Sequence, residues 1–376
     1  MTSSTRLEEV FLFQEANRPE EAIVIDDNRE STPEQAVIPA RYSRQILFDG
    51  IGVEGQARII AARVALVGCG ALGTVQVSLL ARAGVGTLRI IDRDFVEESN
   101  LQRQILFDED DVRNLLPKAV AAEKKLGAVN SLVQVEGLVE DVNASTIGRL
   151  LDGFDLIVDG TDNFDTRYLV NDYSVKTGTP WVYGACVGSY GLTFPILPGE
   201  TACLRCVFES APPAGFSPSC DTAGVIGPIV GAIASLQAAE ALKILAGRRD
   251  RINRRITALD IWDNRRDGFD LPPRDPGCIC CGRRQFEYLD GTLGADATTL
   301  CGRNSVQIQR RNGARLDLDE LAQRLAPLGS FEKNRFLLRA VIDDYQLTVF
   351  ANGRAIISGT YDLALAKSLY SRYVGA

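Results

Sequence analysis

The sequence predicts an α/β protein with a Rossmann-like, doubly wound and mainly parallel sheet, followed by a small α+β domain. Apolar runs that suit buried strands alternate with helical patterns from residue 63 to about residue 159. A glycine turn, GCGALG at residues 68–73, joins the first strand of this series to the first helix. Beyond Gly282, short strands and a hairpin signal replace the alternation. The predicted organisation is an N-terminal extension at 1–38, a sheet domain at 39–283 and a small domain at 284–376.

The elements of the sheet domain follow from the spacing of apolar residues. Strands of a parallel sheet read as short apolar runs, whereas helices repeat their apolar positions every three to four residues. The sequence therefore predicts strands at 64–68, 87–92, 132–138 and 155–159, and helices at 72–83, 118–126 and 143–151. Further strands are expected at 180–187, 191–197 and 255–262.

The small domain is predicted from alternating strands and two helices. Asn352-Gly353 lies between two alternating runs, which is a strong signal for a β-hairpin. Asp317 precedes a helical run and is expected to cap it. The expected elements are strands at 305–310, 335–342, 346–350 and 354–358, and helices at 317–325 and 363–373.

Composition and charge exclude several classes of protein. The chain has 376 residues, 45% of them hydrophobic, and a formal net charge of −8. Nucleic acid and anionic membranes both require a broad basic surface, so neither partner is expected. No basic and apolar signal segment opens the sequence, and the largely polar residues 1–38 are expected to form a mobile extension. These features favour a cytoplasmic protein.

An uncharged run at residues 222–239 reaches the lower length limit of a membrane span. Its glycines and its polar residues favour a buried helix of the core or of a dimer interface instead. Gly227, Gly231 and Ala234 would let such a helix approach a neighbour closely.

Nine cysteines and no histidines restrict the chemistry of the chain. Without imidazole, catalytic triads and mixed Cys/His zinc sites are excluded. The odd count argues against a disulfide framework. The two C-x-x-C pairs instead predict a structural, tetrahedral Zn²⁺ site, which would clip a loop to the end of the sheet domain. Its expected ligands are Cys203, Cys206, Cys278 and Cys281. Cys280 is an alternative ligand to Cys281. The alternative to a metal site is a set of unrelated reduced thiols.

The glycine turn predicts a site for a nucleotide. Gly68, Gly70 and Gly73 satisfy G-x-G-x-x-G, in which a tight turn and bare backbone let phosphates approach the N-terminus of a helix. Asp92 ends the second strand, near the position from which a carboxylate would bind a ribose hydroxyl. This pattern alone is also compatible with an NAD(P)-dependent oxidoreductase.

Polar side chains after successive strands favour a triphosphate over a nicotinamide cofactor. Asn100, Arg103 and Lys118 supply donors and positive charge, for which a dehydrogenase has no evident use just past its ribose acid. The stretch DGTDN at residues 159–163 ends a later strand with carboxylates, which suit Mg²⁺. The carboxyl ends of the strands are the usual binding edge of a doubly wound sheet.

With these residues in place, the chain resembles the MoeB/ThiF/HesA family, adenylyltransferases that activate ubiquitin-like sulfur carrier proteins and are related to ubiquitin-activating enzymes. The matching stretches are RYSRQILF (41–48), GCGALG (68–73), DRDFVEESNLQRQ (92–104), Lys118, DGTDN (159–163), both C-x-x-C pairs and CDTAG (220–224). They cover roughly residues 40–283. The resemblance implies an ATP-binding adenylyltransferase domain in that range.

The resemblance implies a reaction and a role for each matched residue. ATP would adenylate the C-terminal Gly-Gly carboxylate of the carrier and release pyrophosphate, for sulfur transfer in molybdopterin or thiamine biosynthesis. The glycine turn would hold nucleotide phosphates and Asp92 the ribose, while Asn100, Arg103 and Lys118 contact ATP and Asp162 coordinates Mg²⁺. Arg44 would reach the ATP of the other subunit, which requires a homodimer. From its own position, at the end of a Pro/Gly-rich loop and before a long helix, Cys220 is expected to act as a reactive thiol after adenylation, with a passive surface thiol as the alternative.

The sequence departs from the family pattern in two places. The spacing from Arg103 to Lys118 is a residue or two longer than usual, which puts the register of the lysine in question. Residues 284–376 show no recognisable rhodanese loop, so a separate sulfur donor protein is expected, and carrier docking is one hypothesis for this domain. The alternatives are a related activating enzyme that leads to amide or thioester transfer, and an NAD(P)-binding oxidoreductase.

Overall fold

The computed structural model describes residues 38–210, 223–293, 304–308 and 316–375, and the backbone of residues 297–300. The expected N-terminal extension and Cys220 therefore lie outside the described residues. The strands and helices below are numbered in chain order.

The larger sheet has eight described strands and confirms the Rossmann-like α/β class. The strands are β1 (Arg63–Val67), β2 (Thr87–Ile91), β3 (Gln134–Leu138), β4 (Leu156–Asp159), β5 (Trp181–Val187), β6 (Tyr190–Ile196), β7 (Arg255–Asp260) and β8 (Arg265–Asp270). Their order across the sheet is β3-β2-β1-β4-β5-β6-β7-β8. Neighbours from β3 to β5 are parallel, whereas β5 to β8 pair antiparallel. The predicted parallel strands are thus confirmed, and the antiparallel strand β8 was not predicted.

Helices cover both faces of this sheet. They are α1 (Ser43–Ile46), α2 (Gly52–Ala61), α3 (Ala71–Ala83), α4 (Glu109–Arg113), α5 (Lys118–Val129), α6 (Ile147–Leu151), α7 (Phe164–Thr177), α8 (Leu204–Val207) and α9 (Gly227–Leu245), with 3₁₀ turns at Ala40–Tyr42, Glu98–Asn100 and Arg249–Arg251. Leu66 of β1 belongs to a core cluster with α3, α5 and α9. Its neighbour Val67 belongs to the opposite cluster, with α6 and α7. Burial on both faces explains why these strands read as continuous apolar runs.

Some predicted helices differ from their observed bounds, and α5 ends at Val129 instead of residue 126. The helix expected at 143–151 begins only at Ile147, because Asn143 and Thr146 form a side-chain turn in which Asn143 Oδ1 accepts the N–H of Ser145. The apolar run at 222–239 corresponds to α9, which packs against α3, β5 and β6. By length and apolarity α9 is the one described helix that resembles a membrane span, yet half of its apolar window is buried inside the protein.

The second sheet is antiparallel and lies in the C-terminal part of the chain. Its strands are β9 (Ala297–Leu300), β10 (Ser305–Ile308), β11 (Ser330–Lys333), β12 (Leu337–Ile342), β13 (Tyr345–Phe350) and β14 (Ala355–Ser358), in the order β11-β12-β13-β14-β10-β9. Helices α10 (Leu318–Leu325) and α11 (Leu363–Tyr373) pack on it. Asp317 caps α10 as expected, and Gly353, at φ +81°, lies in the turn between β13 and β14. Strands β9 and β11 were not predicted.

Candidate nucleotide site and cysteine cluster

The glycine turn between β1 and α3 uses its three glycines for different reasons. Gly68 has a φ of +87°, which glycine adopts freely, and a Cβ there would lie 2.7 Å from the carbonyl oxygen of Gly160. A Cβ on Gly73 would overlap the carbonyl oxygen of Gly68. At Gly70 the nearest atoms to such a Cβ lie 3.8 and 4.0 Å away. The turn is therefore closely packed at Gly68 and Gly73 but open at Gly70, beside the first turn of α3.

Asp92 lies between the glycine turn and the loop that follows β2. Its carboxylate accepts the N–H of Cys69 at 2.6 Å and the N–H of Asp94 at 2.7 Å. Burial raises the pKa of Asp92, and the charge of Lys118 opposes this effect. The carboxylate thus fixes the carboxyl edge of β1 and β2, which is where the sequence placed it.

The 3₁₀ turn Glu98–Asn100 and the residues after it supply the next group of donors. Asn100 is buried and its Oδ1 accepts the N–H of Glu97 at 3.4 Å. Nη1 of Arg103 donates to the carbonyl of Ser99 at 2.8 Å. Gln104 is also buried, and its Oε1 has no hydrogen-bond partner within the described part of the chain. The Gln104 amide lies beside the open side of Gly70, at 4.0 Å from the position that a Cβ would take there.

Lys118 is the first residue of α5 and is buried, with 4% of its surface exposed. Its Nζ lies 3.6 Å from Oδ2 of Asp94, and its N–H donates to the carbonyl of Asp94 at 2.8 Å. The lysine is therefore held against the loop after β2 by both main chain and side chain. A buried cation at the N-terminus of a helix is suited to an anionic ligand.

The loop after β4 packs directly against the glycine turn. A Cβ on Gly160 would overlap the carbonyl oxygen of Gly68. Asp159 is buried, accepts the N–H of Thr161 at 2.8 Å and lies 3.3 Å from Nε of Arg167. Arg167 also donates to the carbonyl of Thr161 at 2.7 Å, so it orders this loop from α7. Asp162 follows on the exposed side of the loop.

The residues at this edge fit ATP and a divalent cation by their chemistry. The orphaned Oε1 of Gln104 and the open space at Gly70 mark room for a polar ligand beside the helix N-terminus. Arg103 and Lys118 can neutralise phosphate oxygens. Carboxylate oxygens, such as those of Asp162, are the ligands that Mg²⁺ prefers in proteins.

Arg44 lies apart from this group in the same chain. It is an exposed residue of α1, next to the buried Tyr42. Tyr42 packs against Gly84, which ends α3, whereas the glycine turn begins α3. A helix of 13 residues is about 20 Å long, so the two ends of α3 separate Arg44 from the glycine turn. The structure therefore does not bring Arg44 to the carboxyl edge of the larger sheet in its own chain, where the candidate nucleotide site lies.

The four predicted zinc ligands converge. Sγ of Cys203 lies 3.9 Å from that of Cys206 and 3.7 Å from that of Cys278, and the Sγ atoms of Cys206 and Cys281 are 3.4 Å apart. All four lie within 4.8 Å of one another. A tetrahedral site with Zn–S bonds near 2.3 Å has sulfur–sulfur edges of about 3.8 Å, so the cluster fits Zn²⁺. Cys280 lies outside this set of four and accepts a hydrogen bond from Nδ2 of Asn171 at 3.2 Å.

Sequence reasoning missed two polar side chains at this edge. Gln104 falls inside the matched stretch 92–104 but received no role. Arg167 lies in α7, a helix that was not predicted, because charged and amide groups interrupt the apolar residues at its buried positions. Its position four residues after Asn163, the N-cap of α7, was the available signal.

A glycine turn, a buried lysine and strand-end carboxylates at the carboxyl edge of a parallel sheet are typical of a nucleotide-binding α/β enzyme. The ThiF family model matches residues 42–280, which is more than half of the chain. This chain therefore belongs to the ThiF family and is an adenylyltransferase.

Curated relatives agree with this assignment. The chain is 45% identical over 337 residues to the sulfur carrier protein ThiS adenylyltransferase of Bacillus subtilis, covering 89% of this chain and 99% of the relative. It is 39% identical over 252 residues to the SAMP-activating enzyme E1 of Haloferax volcanii, covering 66% and 91%. The sulfur carrier protein adenylyltransferase of Thermus thermophilus is 40% identical, covering 66% and 94%.

Solved structures with the same fold include those of MccB. Escherichia coli MccB with ATP is 26% identical, with a TM-score of 0.57 over 64% of this chain and 74% of that chain. The microcin C7 biosynthetic enzyme MccB in complex with N-formylated MccA is 25% identical, with a TM-score of 0.58 over 65% and 77%.

Proposed function

We propose that this chain transfers AMP from ATP to the C-terminal carboxylate of a ubiquitin-like sulfur carrier of the ThiS type. One observation carries the choice of carrier. The B. subtilis ThiS adenylyltransferase aligns with 89% of this chain, so the unaligned share is too small to contain residues 284–376. The Haloferax and Thermus relatives align with 66% of the chain. The C-terminal sheet is thus common to this chain and a ThiS-activating enzyme, which supports a role in thiamine biosynthesis over molybdopterin biosynthesis.

The proposed reaction needs no histidine. A carboxylate oxygen of the carrier's terminal Gly-Gly attacks the α-phosphorus of ATP, the bond from that phosphorus to the bridging oxygen breaks, and pyrophosphate leaves. The carboxylate is already ionised at neutral pH, so no general base is required. The enzyme's task is to align the two reactants and to stabilise charge on the phosphates.

The residues at the sheet edge suit these tasks. Lys118 and Arg103 neutralise phosphate charge, Asn100 and the open glycine turn orient the nucleotide, and Asp92 binds the ribose. Asp162 would hold Mg²⁺, which would supply positive charge to stabilise the phosphates. Gln104 supplies an amide that the bound nucleotide can satisfy.

The partners and later steps extend this proposal. Arg44 completes the site of a second copy of the chain, so the enzyme acts as a homodimer. Exposed apolar side chains next to Arg44 support such an interface: Leu47, Phe48 and Val53 are each more than 60% exposed. Cys220 takes part after adenylation, sulfur comes from a separate protein, and the enzyme works in the cytoplasm. Zn²⁺ occupies the cysteine cluster as a structural ion.

Carrier-dependent exchange of labelled pyrophosphate into ATP tests the central step. The wild-type chain is expected to catalyse exchange with an intact ThiS-type carrier and not with one lacking its last glycine. Asp162→Asn should reduce exchange by roughly a hundredfold, on the order of 3 kcal/mol of transition-state stabilisation. Asp165→Asn is the matched control, since Asp165 is an exposed carboxylate in the first turn of α7. Exchange that does not depend on the carrier would contradict the proposal.

The form of the activated product separates the remaining alternatives. Mass spectrometry should find a carrier acyl-adenylate that a sulfur donor converts to a thiocarboxylate. A stable amide or thioester of the carrier would instead identify the related activating enzymes. Titration with a nicotinamide nucleotide should show no saturable binding.

A further inference from the structure

The C-terminal sheet contacts two neighbouring segments at the carboxyl edge of the larger sheet, where the candidate nucleotide site lies; this edge is called the nucleotide edge. One is the loop after β2, residues 92–96, and the other is the segment that leads into α5, residues 114–118. These segments are bonded to each other, because the N–H of Val96 donates to the carbonyl of Leu116 at 2.9 Å and that of Lys118 to Asp94. A displacement of one segment therefore moves the other.

Arg354 reaches the first segment from the turn between β13 and β14. Its Nη2 donates to the carbonyl of Arg93, and its Nη1 lies 3.9 Å from Oδ1 of Asp94 and 3.2 Å from Oε1 of Gln307. The guanidinium also lies over the ring of Phe350, 3.6 Å from its centre. Arg354 is 1% exposed, and this burial lowers the pKa of its guanidinium to about 10, which leaves it charged at neutral pH. A cation buried at this cost is held by specific partners.

Two further contacts hold the same segments. Phe95 packs in one cluster with Leu337, Phe350 and Ile356 of the C-terminal sheet. Nδ2 of Asn334 donates to the carbonyls of Asn114 at 3.1 Å and of Leu115 at 2.9 Å. Leu115 has a φ of +47°, a strained conformation for leucine that this amide helps to maintain.

We propose that Arg354 is a positioning residue for ATP. Through Arg354, the C-terminal sheet holds in place the two segments that carry Asp92 and Lys118. Arg354 acts on Lys118 through Asp94, whose two carboxylate oxygens face the guanidinium and the lysine Nζ. It acts on Asp92 through the neighbouring main chain at Arg93. This inference rests on the proposed placement of ATP at Lys118 and Asp92.

The physical reason is that Lys118 and Asp92 are both buried and interact electrostatically, and both would contact ATP in the proposed placement. The Asp94 carboxylate has to interact with Arg354 and Lys118 at the same time. If it interacted with Lys118 alone, the lysine would be less available to phosphate. A lysine at position 354 keeps a positive charge but cannot contact a carbonyl, a carboxylate and an amide in the fixed fork that arginine provides. The loop after β2 would then be held less closely, and ATP would lose affinity.

The affinity of full-length dimeric enzyme for Mg-ATP, measured by isothermal titration calorimetry without carrier, tests this proposal. Arg354→Lys is expected to raise the Kd by about tenfold. Arg324→Lys is the matched control, because Arg324 lies in α10, which packs on the same C-terminal sheet, and donates to the carbonyls of Tyr373 and Val374. The Kd of the control should stay within about twofold of wild type, even where its unfolding temperature falls as far as that of Arg354→Lys. An unchanged Kd in Arg354→Lys, or an equal loss in Arg324→Lys, overturns the proposal.

A double-mutant cycle identifies the route through Asp94. If Arg354 acts through this carboxylate, Asp94→Asn combined with Arg354→Lys should bind Mg-ATP no more weakly than the weaker single variant. Losses that multiply overturn this route. Because ATP binding is measured without carrier, a wild-type enzyme that binds ATP but shows no carrier-dependent exchange would reject the proposed function and leave this inference intact.

Discussion

At the scale of single residues, the glycine turn shows that one motif combines positions with different physical requirements. Gly68 is required because its φ is positive. Gly73 is required because α3 approaches β1 closely there and leaves no space for a Cβ. Gly70 meets no close neighbour, but its backbone, at φ −86° and ψ −144°, lies outside the regions that residues with a Cβ prefer. Backbone conformation therefore favours glycine at this position too, and the open side of Gly70 leaves room for a ligand.

This difference predicts different results for two substitutions. Gly70→Ala should lower the unfolding temperature less than Gly73→Ala but weaken Mg-ATP by about tenfold, or ~1.4 kcal/mol, since its methyl group fills the open side of the turn. Gly73→Ala should mainly lower the unfolding temperature, because its Cβ overlaps the carbonyl of Gly68. Thermal unfolding and calorimetry measure both effects. Gly148→Ala serves as the control, as a Cβ there meets nothing within 4 Å. Unimpaired ATP binding in Gly70→Ala would contradict the placement of the phosphates.

At the scale of elements, the cysteine cluster joins two segments that are far apart in the sequence. Cys203 and Cys206 lie at the start and within the short helix α8, and Cys278 and Cys281 lie in the turns that follow β8. A helix of four residues has little stability of its own, so a bound metal would supply much of what holds it. The sulfur of Cys280 faces Asn171 of α7, outside the four converging thiols.

The cluster therefore predicts different metal contents for neighbouring cysteine variants. Elemental analysis should find about one zinc per wild-type chain and almost none in Cys203→Ser, whose unfolding temperature should also fall. Cys280→Ser should keep its zinc, although it loses the sulfur that accepts from Asn171. If Cys280→Ser loses zinc while Cys281→Ser keeps it, the ligand set has to be revised. Wild-type protein without zinc, purified without chelator, would reject the metal itself.

At the scale of the whole molecule, the proposed role of Arg44 requires an active unit larger than one chain. Arg44 lies near the end of α3 that is distant from the glycine turn, so under this proposal it would serve the nucleotide of another copy. Closed two-fold symmetry gives each copy the same relation to its partner. Each site would then combine Asp162 and Lys118 of one chain with Arg44 of the other.

Mixing two inactive variants tests this arrangement. Arg44→Ala and Asp162→Asn chains, refolded together, should recover about a quarter of wild-type exchange, because half of the dimers are mixed and each of these has one intact site. Lys118→Ala mixed with Asp162→Asn is the control, since both changes damage the chain's own site and no site is restored. Recovery in the control, or none in the test mixture with mixed dimers present, would place Arg44 outside the partner's site.

Much of this architecture could be predicted from the sequence because parallel strands that are buried on both faces read as apolar runs. Strand β8 could not, since all six of its residues are exposed and no alternation marks it. Helix α7 was missed because its buried positions include Arg167, Asn171 and Asp172. The contact of Arg354 with Arg93 spans 261 residues, and no local pattern encodes such a distance. The motifs could thus be located from the sequence, but the side chains from other parts of the chain that hold them in place could not.

The support of the nucleotide edge by the C-terminal sheet bears on how this enzyme can be shortened or recombined. The Haloferax and Thermus relatives are covered almost completely by about two thirds of this chain, which suggests a minimal enzyme that ends near residue 283. Such a truncation here would uncover Phe95 and remove the donors that Arg354 and Asn334 provide to the main chain. We therefore expect that the first part of this chain cannot be exchanged for that of its shorter relatives without loss of ATP affinity. A chimaera would have to exchange both segments of the nucleotide edge together with the sheet.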